Sequence, residues 1–311
     1  MSAGSRRGTR AYDGSMAEAP VHVAADLHMH STVSDGTDTP AKLIGAAARA
    51  GLRAVAITDH DTTAGWAAAS DAARSHEIVL IPGMELSTRV QFASVHVLAY
   101  LIDPDDPGLL AETARIRESR ITRAERIVRR ISADYDLTWD DVLAQTTDGT
   151  TIGRPHIADA LVARGHASTR SEAFAGILHW RSGYAQPHYA PDPLTGIRLI
   201  RAAGGVPVLA HPGTRGAEEI MTEERLRRFV DAGLFGIEVD HPENTAASRP
   251  RLRALAARWG LAVTGSSDYH GLGKANRIGE HTTDPEVVAR IVAEASGARP
   301  VVPSAGEPAA R

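Results

Sequence analysis

Ala25–Gly36 reads ADLHMHSTVSDG: His28 and His30 lie two residues apart, with Asp35 five further on, just after an apolar run. In extended backbone, residues i and i+2 project to one side. His28 and His30 can therefore grip one cation from one face. A lone His-X-His arises often by chance, so the weight comes from repetition. Asp59, His60 and Asp61 follow the second apolar run in ITDHD, and Glu85 sits in GMELS. His211 follows the fifth run in AHPG, Asp240 and His241 follow the sixth, and Asp268 and His270 follow the seventh in SSDYHG. His96 is the exception, near the start of its run rather than the end.

Imidazoles mixed with carboxylates suit manganese, iron or zinc better than calcium or magnesium, which prefer oxygen. The candidates are His28, His30, Asp35, His60, Glu85, His96, His211, Asp268 and His270. At about four ligands per ion, with one carboxylate shared, nine suit two or three ions. The chain has no cysteine, which excludes disulfides, thiolate nucleophiles and Cys-type zinc sites.

The elements that must position these residues follow an α/β rhythm. Strands are expected at 21–27, 53–58, 78–86, 95–102, 206–210, 235–239 and 261–265, most flanked by alanine-rich helical patterns. The first helix carries its own signals: Thr39 as N-cap, Pro40 at the first position and Gly51 as the stop. The alternation breaks after 102. A long helical pattern runs from Leu109 to Ile131, then GRPHIADALVARG and SEAFAGILHW read as two short helices. A parallel (β/α) barrel with an inserted helical subdomain fits, and a doubly wound open sheet fits nearly as well. In a barrel, the C-terminal strand ends would bring the nine residues to one mouth.

With 43% hydrophobic and 23% charged residues, the chain has a globular composition, and its net charge of −4 argues against nucleic acid as a bulk partner. No apolar run is long enough to span a membrane, and residues 1–20 carry no apolar signal core. The expectation is a cytoplasmic protein with disordered tails at 1–20 and 296–311.

DLHMHSTVSDG, ITDHD, GMELS, VHVL, AHPG and SSDYHG, in that order, resemble the motifs of the PHP (polymerase and histidinol phosphatase) family of metal-dependent phosphoesterases. The resemblance implies a distorted (β/α)7 barrel over 21–102 and 191–295, with 103–190 forming a helical lid. It implies a two- or three-metal site, manganese being the first choice. One ion would take His28, His30, Glu85 and Asp268, a second Asp35, His60 and His270, and a third Glu85, His96 and His211. TIGRPHIADALVARG resembles the branch acting on nucleoside 3′,5′-bisphosphates and short 5′-phosphorylated RNA. In that branch Arg154 and His156 would be the catalytic and substrate-binding pair on the phosphate. The stretch GYAQPHYAP (183–191) departs from the shorter one expected there.

The expected reaction is in-line attack on phosphorus by metal-activated hydroxide, with Arg154 stabilising the phosphoryl charge. His156 would contact phosphate or protonate the leaving group, and His241 is a further substrate-binding candidate. Asp26, Asp59 and Asp61 are expected to orient imidazoles or cap turns. The arginines between Arg115 and Arg130 read mainly as a charged helix face paired with Glu112, Glu118 and Glu125. His22, His76, His166, His179 and His281 read as solvated. Two rival functions are a phosphomonoesterase for a metabolite such as histidinol phosphate and a non-catalytic metal-binding module. No obligate protein partner is evident.

Overall fold

The computed structural model describes residues 23–91, 93–214 and 221–303. The expected tail at 1–20, His22 and residues 304–311 lie outside it. Seven strands form one sheet in chain order: β1 (Ala25–Asp26), β2 (Ala54–Ile57), β3 (Val79–Val90), β4 (Ala93–Tyr100), β5 (Val206–Leu209), β6 (Gly236–Asp240) and β7 (Ala262–Gly265). Just beyond β1 and β7, a parallel bridge joins Met29 to Tyr269, so the sheet curls into a nearly closed barrel rather than lying open. Fully buried Tyr100 crosses the interior, its hydroxyl donating to the Leu27 carbonyl at 3.0 Å.

All neighbouring strands run parallel except β4, which is antiparallel to both β3 and β5. This reversal explains the odd placement of His96. The start of β4 lies at the mouth where the other strands end, and His96 pairs in register with Ser87 of β3.

Helices cover the barrel as their apolar spacing requires. In α1 (Pro40–Arg49) the Thr39 hydroxyl accepts from the Lys42 N–H at 3.3 Å, and Gly51, at φ +85°, turns the chain out. Leu43, Ile44 and Ala47 of α1 and Ala69 and Ala73 of α2 (Trp66–Ser75) pack on Val55, Ile57 and Leu80. Ile197 and Ile200 of α7 (Pro193–Ala202) cover Leu86 and Val97, while α8 (Glu223–Asp231) and α9 (Ser248–Trp259) add Phe229 and Leu252 to that cluster. Val288 and Ile291 of α10 (Pro285–Glu294) pack with Phe235 and Val206.

Between β4 and β5 lie α3 (Pro107–Ile131), α4 (Trp139–Leu143), α5 (Arg154–Ala163) and α6 (Arg170–Ala175). They have a hydrophobic cluster of their own, including Ile127, Ile131, Leu137, Val142, Ile157 and Leu161. The other end of α3 reaches the barrel core through Leu109 and Ile116. Helix α4 was not anticipated; Thr138 and Asp141 cap it reciprocally. The SEAFAGILHW helix stops at Ala175, because the next turn is not continued beyond Gly176.

The expected tail at 296–311 needs correction over 296–303. The Ala298 N–H donates to Leu101 at 2.8 Å, and Val301 exchanges two 2.8–2.9 Å bonds with Leu80. Paired backbone of this kind ties the segment to the edge of the barrel wall.

Candidate metal centre

The Ser31–Gly36 turn builds the first corner. Ser34 and Gly36 donate backbone N–H groups to the Ser31 carbonyl at 3.1 and 3.0 Å. A Cβ on Gly36 would lie 2.2 Å from the His30 carbonyl oxygen, so only glycine allows the tight return that folds Asp35 back toward His30. His28 and His30 project together, with Nε2 atoms 3.1 Å apart, while Met29 points into the core beneath α1. Asp61, His211 and Asp268 hold positive φ of 55°, 30° and 50°. Such strain in non-glycine residues persists where the surroundings over-determine it, commonly at functional sites.

Glu85 is the hub. One of its carboxylate oxygens lies 3.3, 3.2 and 3.1 Å from His28, His30 and His60. The other lies 2.7 Å from His96 Nδ1 and 3.1 Å from His211 Nε2. Asp268 Oδ1 is 3.3 and 3.4 Å from His28 and His30, completing the first expected set. Asp35 is 3.3 Å from His270, 3.7 Å from His60 and 3.6 Å from His30. All nine sequence-selected residues thus reach one buried cluster. Its potential ion-holding groups are His30, Asp35, His60 and His270; His28, His241 and Asp268; His28, Glu85 and His211; and His60, Glu85 and His96. His30 therefore borders both the first and the second expected sets.

The donor set fits divalent cations. The Nδ1–H of His28 faces the Glu238 carboxylate at 3.2 Å, and that of His30 faces the Ser34 hydroxyl at 3.3 Å. Both Nε2 lone pairs then converge at 3.1 Å, an arrangement that only positive charge relieves. His60 Nδ1 is buried and, although it lies 3.1 Å from Glu85 Oε2, makes no hydrogen bond among the described residues. Burial opposes a charge on His30, but Asp268, Glu85 and Asp35 override it and push its pKa up to about 9. Burial pushes the Glu85 carboxyl up, yet His96, His60 and His28 hold it well below the usual range. His270 and His60 do the same for Asp35.

The surrounding carboxylates support this cluster. Glu238, which sequence reasoning passed over, accepts from His28, from the His211 N–H at 2.8 Å and from the Ser266 hydroxyl. Asp59 accepts from the Ser31 and Ser34 hydroxyls and the Ser31 N–H, fixing the turn rather than an imidazole. Asp26 binds the N–H groups of Ser267 and Gly279 and so joins the two chain halves. Asp61 accepts from the Ser87 N–H and hydroxyl and pairs with Arg120 at 2.9 Å. Lys274, also missed, donates to Asp268 and Glu243 at 2.5 and 2.9 Å.

Three expectations change. His156 is buried, with Nδ1 accepting from the Gly153 N–H at 3.0 Å and Nε2 donating to the Ser34 carbonyl at 2.8 Å. Both ring nitrogens are thus committed to backbone; the residue ties α5 to the turn carrying Asp35 and has no proton to offer a phosphate. His241 is fully buried rather than facing a substrate. Its Nδ1 accepts from the Glu243 N–H at 3.0 Å, leaving Nε2–H toward Asp268 at 3.4 Å. The arginines of α3 do not pair with its glutamates. Arg120 takes Asp61, Arg117 donates to the Asp61 carbonyl at 2.7 Å, Arg123 bonds His188 and Arg115 lies over Tyr189.

Arg154, at the start of α5, is exposed, with its guanidinium 5.3 Å from the Phe174 ring centre. It lines a cleft of about 580 Å³ together with Asp35, His270, Arg170, Lys274 and Asn276, bringing a cation beside the metal-ligand types. His76, His166, His179 and His281 lie outside every potential ion-holding group among the described residues.

Comparison with known proteins matches these motifs. The PHP domain model matches residues 26–149. The phosphoribosyl 1,2-cyclic phosphate 1,2-diphosphodiesterase of Eggerthella lenta is 31% identical over 259 residues, covering 82% of this chain and 97% of that protein. The 3′,5′-nucleoside bisphosphate phosphatase of Chromobacterium violaceum is 32% identical over 269 residues, covering 86% and 94%. A Bifidobacterium adolescentis protein of known structure, assigned as a metal-dependent phosphoesterase, superimposes with a TM-score of 0.85 at 44% identity, covering 88% and 96%.

Proposed function

The chain belongs to the PHP family of metal-dependent phosphoesterases, and we propose that it hydrolyses a phosphate monoester of nucleoside 3′,5′-bisphosphates, with short 5′-phosphorylated RNA as a related substrate. The observation that carries this reading is the cleft joining Arg154 to Asp35 and His270 at the edge of the buried cluster. The ligands are His28, His30, Asp35, His60, Glu85, His96, His211, Asp268 and His270, holding two or three divalent ions with manganese preferred. Bound ions supply charge neutralisation and a water acidic enough to act as nucleophile near neutral pH.

The chain's own side chains do the rest. Glu85 holds five imidazoles around one carboxylate and so sets the spacing of the cluster. Glu238 holds the proton of His28 at Nδ1, which keeps Nε2 a lone-pair donor toward the centre. Arg154 donates its fork to the phosphoryl oxygens, where charge accumulates during displacement. The helical insertion 103–190 serves as a cover, with α5 pinned to the Asp35 turn through His156.

A substrate panel with the manganese-loaded protein tests the reading. Release of phosphate from 3′-phosphoadenosine 5′-phosphate, with histidinol phosphate and cyclic phosphate esters left intact, is the expected result. Turnover of either of the others with the bisphosphate untouched overturns it.

A further inference from the structure

The two carboxylate oxygens of Asp268 have different surroundings. Oδ1 faces the cluster, 3.3 and 3.4 Å from Nε2 of His28 and His30. Oδ2 accepts from the Lys274 ammonium at 2.5 Å and lies 3.4 Å from Nε2 of His241. Lys274 is anchored in turn, since its Nζ also donates to Glu243 at 2.9 Å. The Glu243 N–H donates to Nδ1 of His241 at 3.0 Å, so Asp268, Lys274, Glu243 and His241 close a ring across the loops that follow β6 and β7.

The segment carrying Lys274 also holds the main chain of Asp268. The Asp268 carbonyl accepts from Nδ2 of Asn276 at 3.2 Å and from Nδ1 of His270 at 2.8 Å, and Asn276 donates to the Ser267 carbonyl at 2.9 Å. With φ at +50°, this backbone keeps its strained form only while such contacts persist. Asp268 is 2% exposed, so its carboxylate has little water to turn toward. A cation beside a metal ligand both repels the ion and fixes the ligand. The Glu243 carboxylate offsets the charge of Lys274, which leaves fixation as its net contribution.

We propose that Lys274, braced by Glu243, is a positioning residue that makes Asp268 a one-oxygen donor: it occupies Oδ2 and leaves Oδ1 to the ion taken by His28 and His30. This rests on the metal-dependent phosphoesterase reading above and deepens it by naming what biases the choice of ion. Calcium takes about six to eight oxygen ligands and can use both oxygens of one carboxylate. Closing Oδ2 removes one of the few oxygens that this imidazole-rich set could offer it, and so favours transition-metal ions such as manganese.

Equilibrium dialysis of the full chain against manganese or calcium alone, read by elemental analysis, gives the ratio of the two affinities. Both ions are divalent, so a change of local charge largely cancels in that ratio. In Lys274→Met the preference for manganese over calcium should fall about 10-fold or more at one ion per chain, and Lys274→Arg should retain it. Lys274→Met/Glu243→Gln preserves the charge balance and should show the same fall, which keeps the test open should Lys274→Met alone fail to fold. A ratio within about 2-fold of wild type in both the single and the double variant overturns the positioning role, even where the bisphosphate is hydrolysed. A fallen ratio in a chain whose wild type leaves the bisphosphate intact overturns the substrate reading and upholds the role of Lys274.

Discussion

Glu238 Oε1 lies 3.2 Å from Nδ1 of His28, both side chains fully buried, so a strand-interior carboxylate fixes which imidazole nitrogen faces the centre. Burial pushes Glu238 up, but His241 and His28 hold its pKa down at about 2, and it stays ionised throughout the working range. Glu238→Gln should weaken manganese binding by about 10- to 100-fold. Competition against a chelator measures this, and an unchanged affinity would remove Glu238 from the role of orienting His28.

Glu85 faces imidazoles from both of its carboxylate oxygens. In Glu85→Gln the bound metal, measured by elemental analysis after dialysis, should drop by more than one ion per chain. Loss of a single ion would mean that Glu85 serves one position only.

The Asp61–Arg120 pair joins the barrel to α3 in a setting closed to solvent. Asp61→Asn leaves Arg120 uncompensated beside Arg123 and should cost about 3 kcal/mol or more of stability in urea unfolding. A loss below about 1 kcal/mol would show that water or another group reaches Arg120.

Burial, reinforced by Arg123 and Arg120, pushes His188 from 6.5 to about 2. A histidine pKa lowered on folding contributes stability that is complete above about 6.5 and is lost as pH falls toward 2, because the unfolded chain takes up the proton first. Wild type should therefore lose stability relative to His188→Gln between about pH 7.5 and 5, by on the order of 1 kcal/mol after solvent screening. Parallel urea midpoints for the two proteins at both pH values would contradict this.

The strand ends were legible because each pairs an apolar run with ligand-type residues, and the barrel supplies the reason they meet. His96 looked misplaced only because strand direction is not written in local sequence; the antiparallel β4 restores it to the mouth. A signal for Glu238 was present: an acid between Ile237 and Val239 in a strand needs a buried partner. His156 and His241 could not be told from substrate-facing residues by spacing, since the backbone groups that take both ring nitrogens of His156 and Nδ1 of His241 are fixed only in the folded turns. The α3 arginines fit helix-surface pairing in one dimension, yet their partners, Asp61 and His188, come from elsewhere in the chain. Val301 read as tail because one bridge to Leu80 leaves no periodicity behind.

The bridge from Met29 to Tyr269 closes the sheet between the two segments that carry His28, His30, Asp268 and His270. Beside it, Ser267 reaches Asp26 across 241 positions of sequence. The candidate cluster is thus built on the seam where β1 meets β7. Contacts so distant in sequence are slow to form, because loop closure must precede their reward. The native cluster is therefore complete only once the β1 and β7 segments have come together across the intervening chain, and manganese uptake followed during refolding should report that closing step.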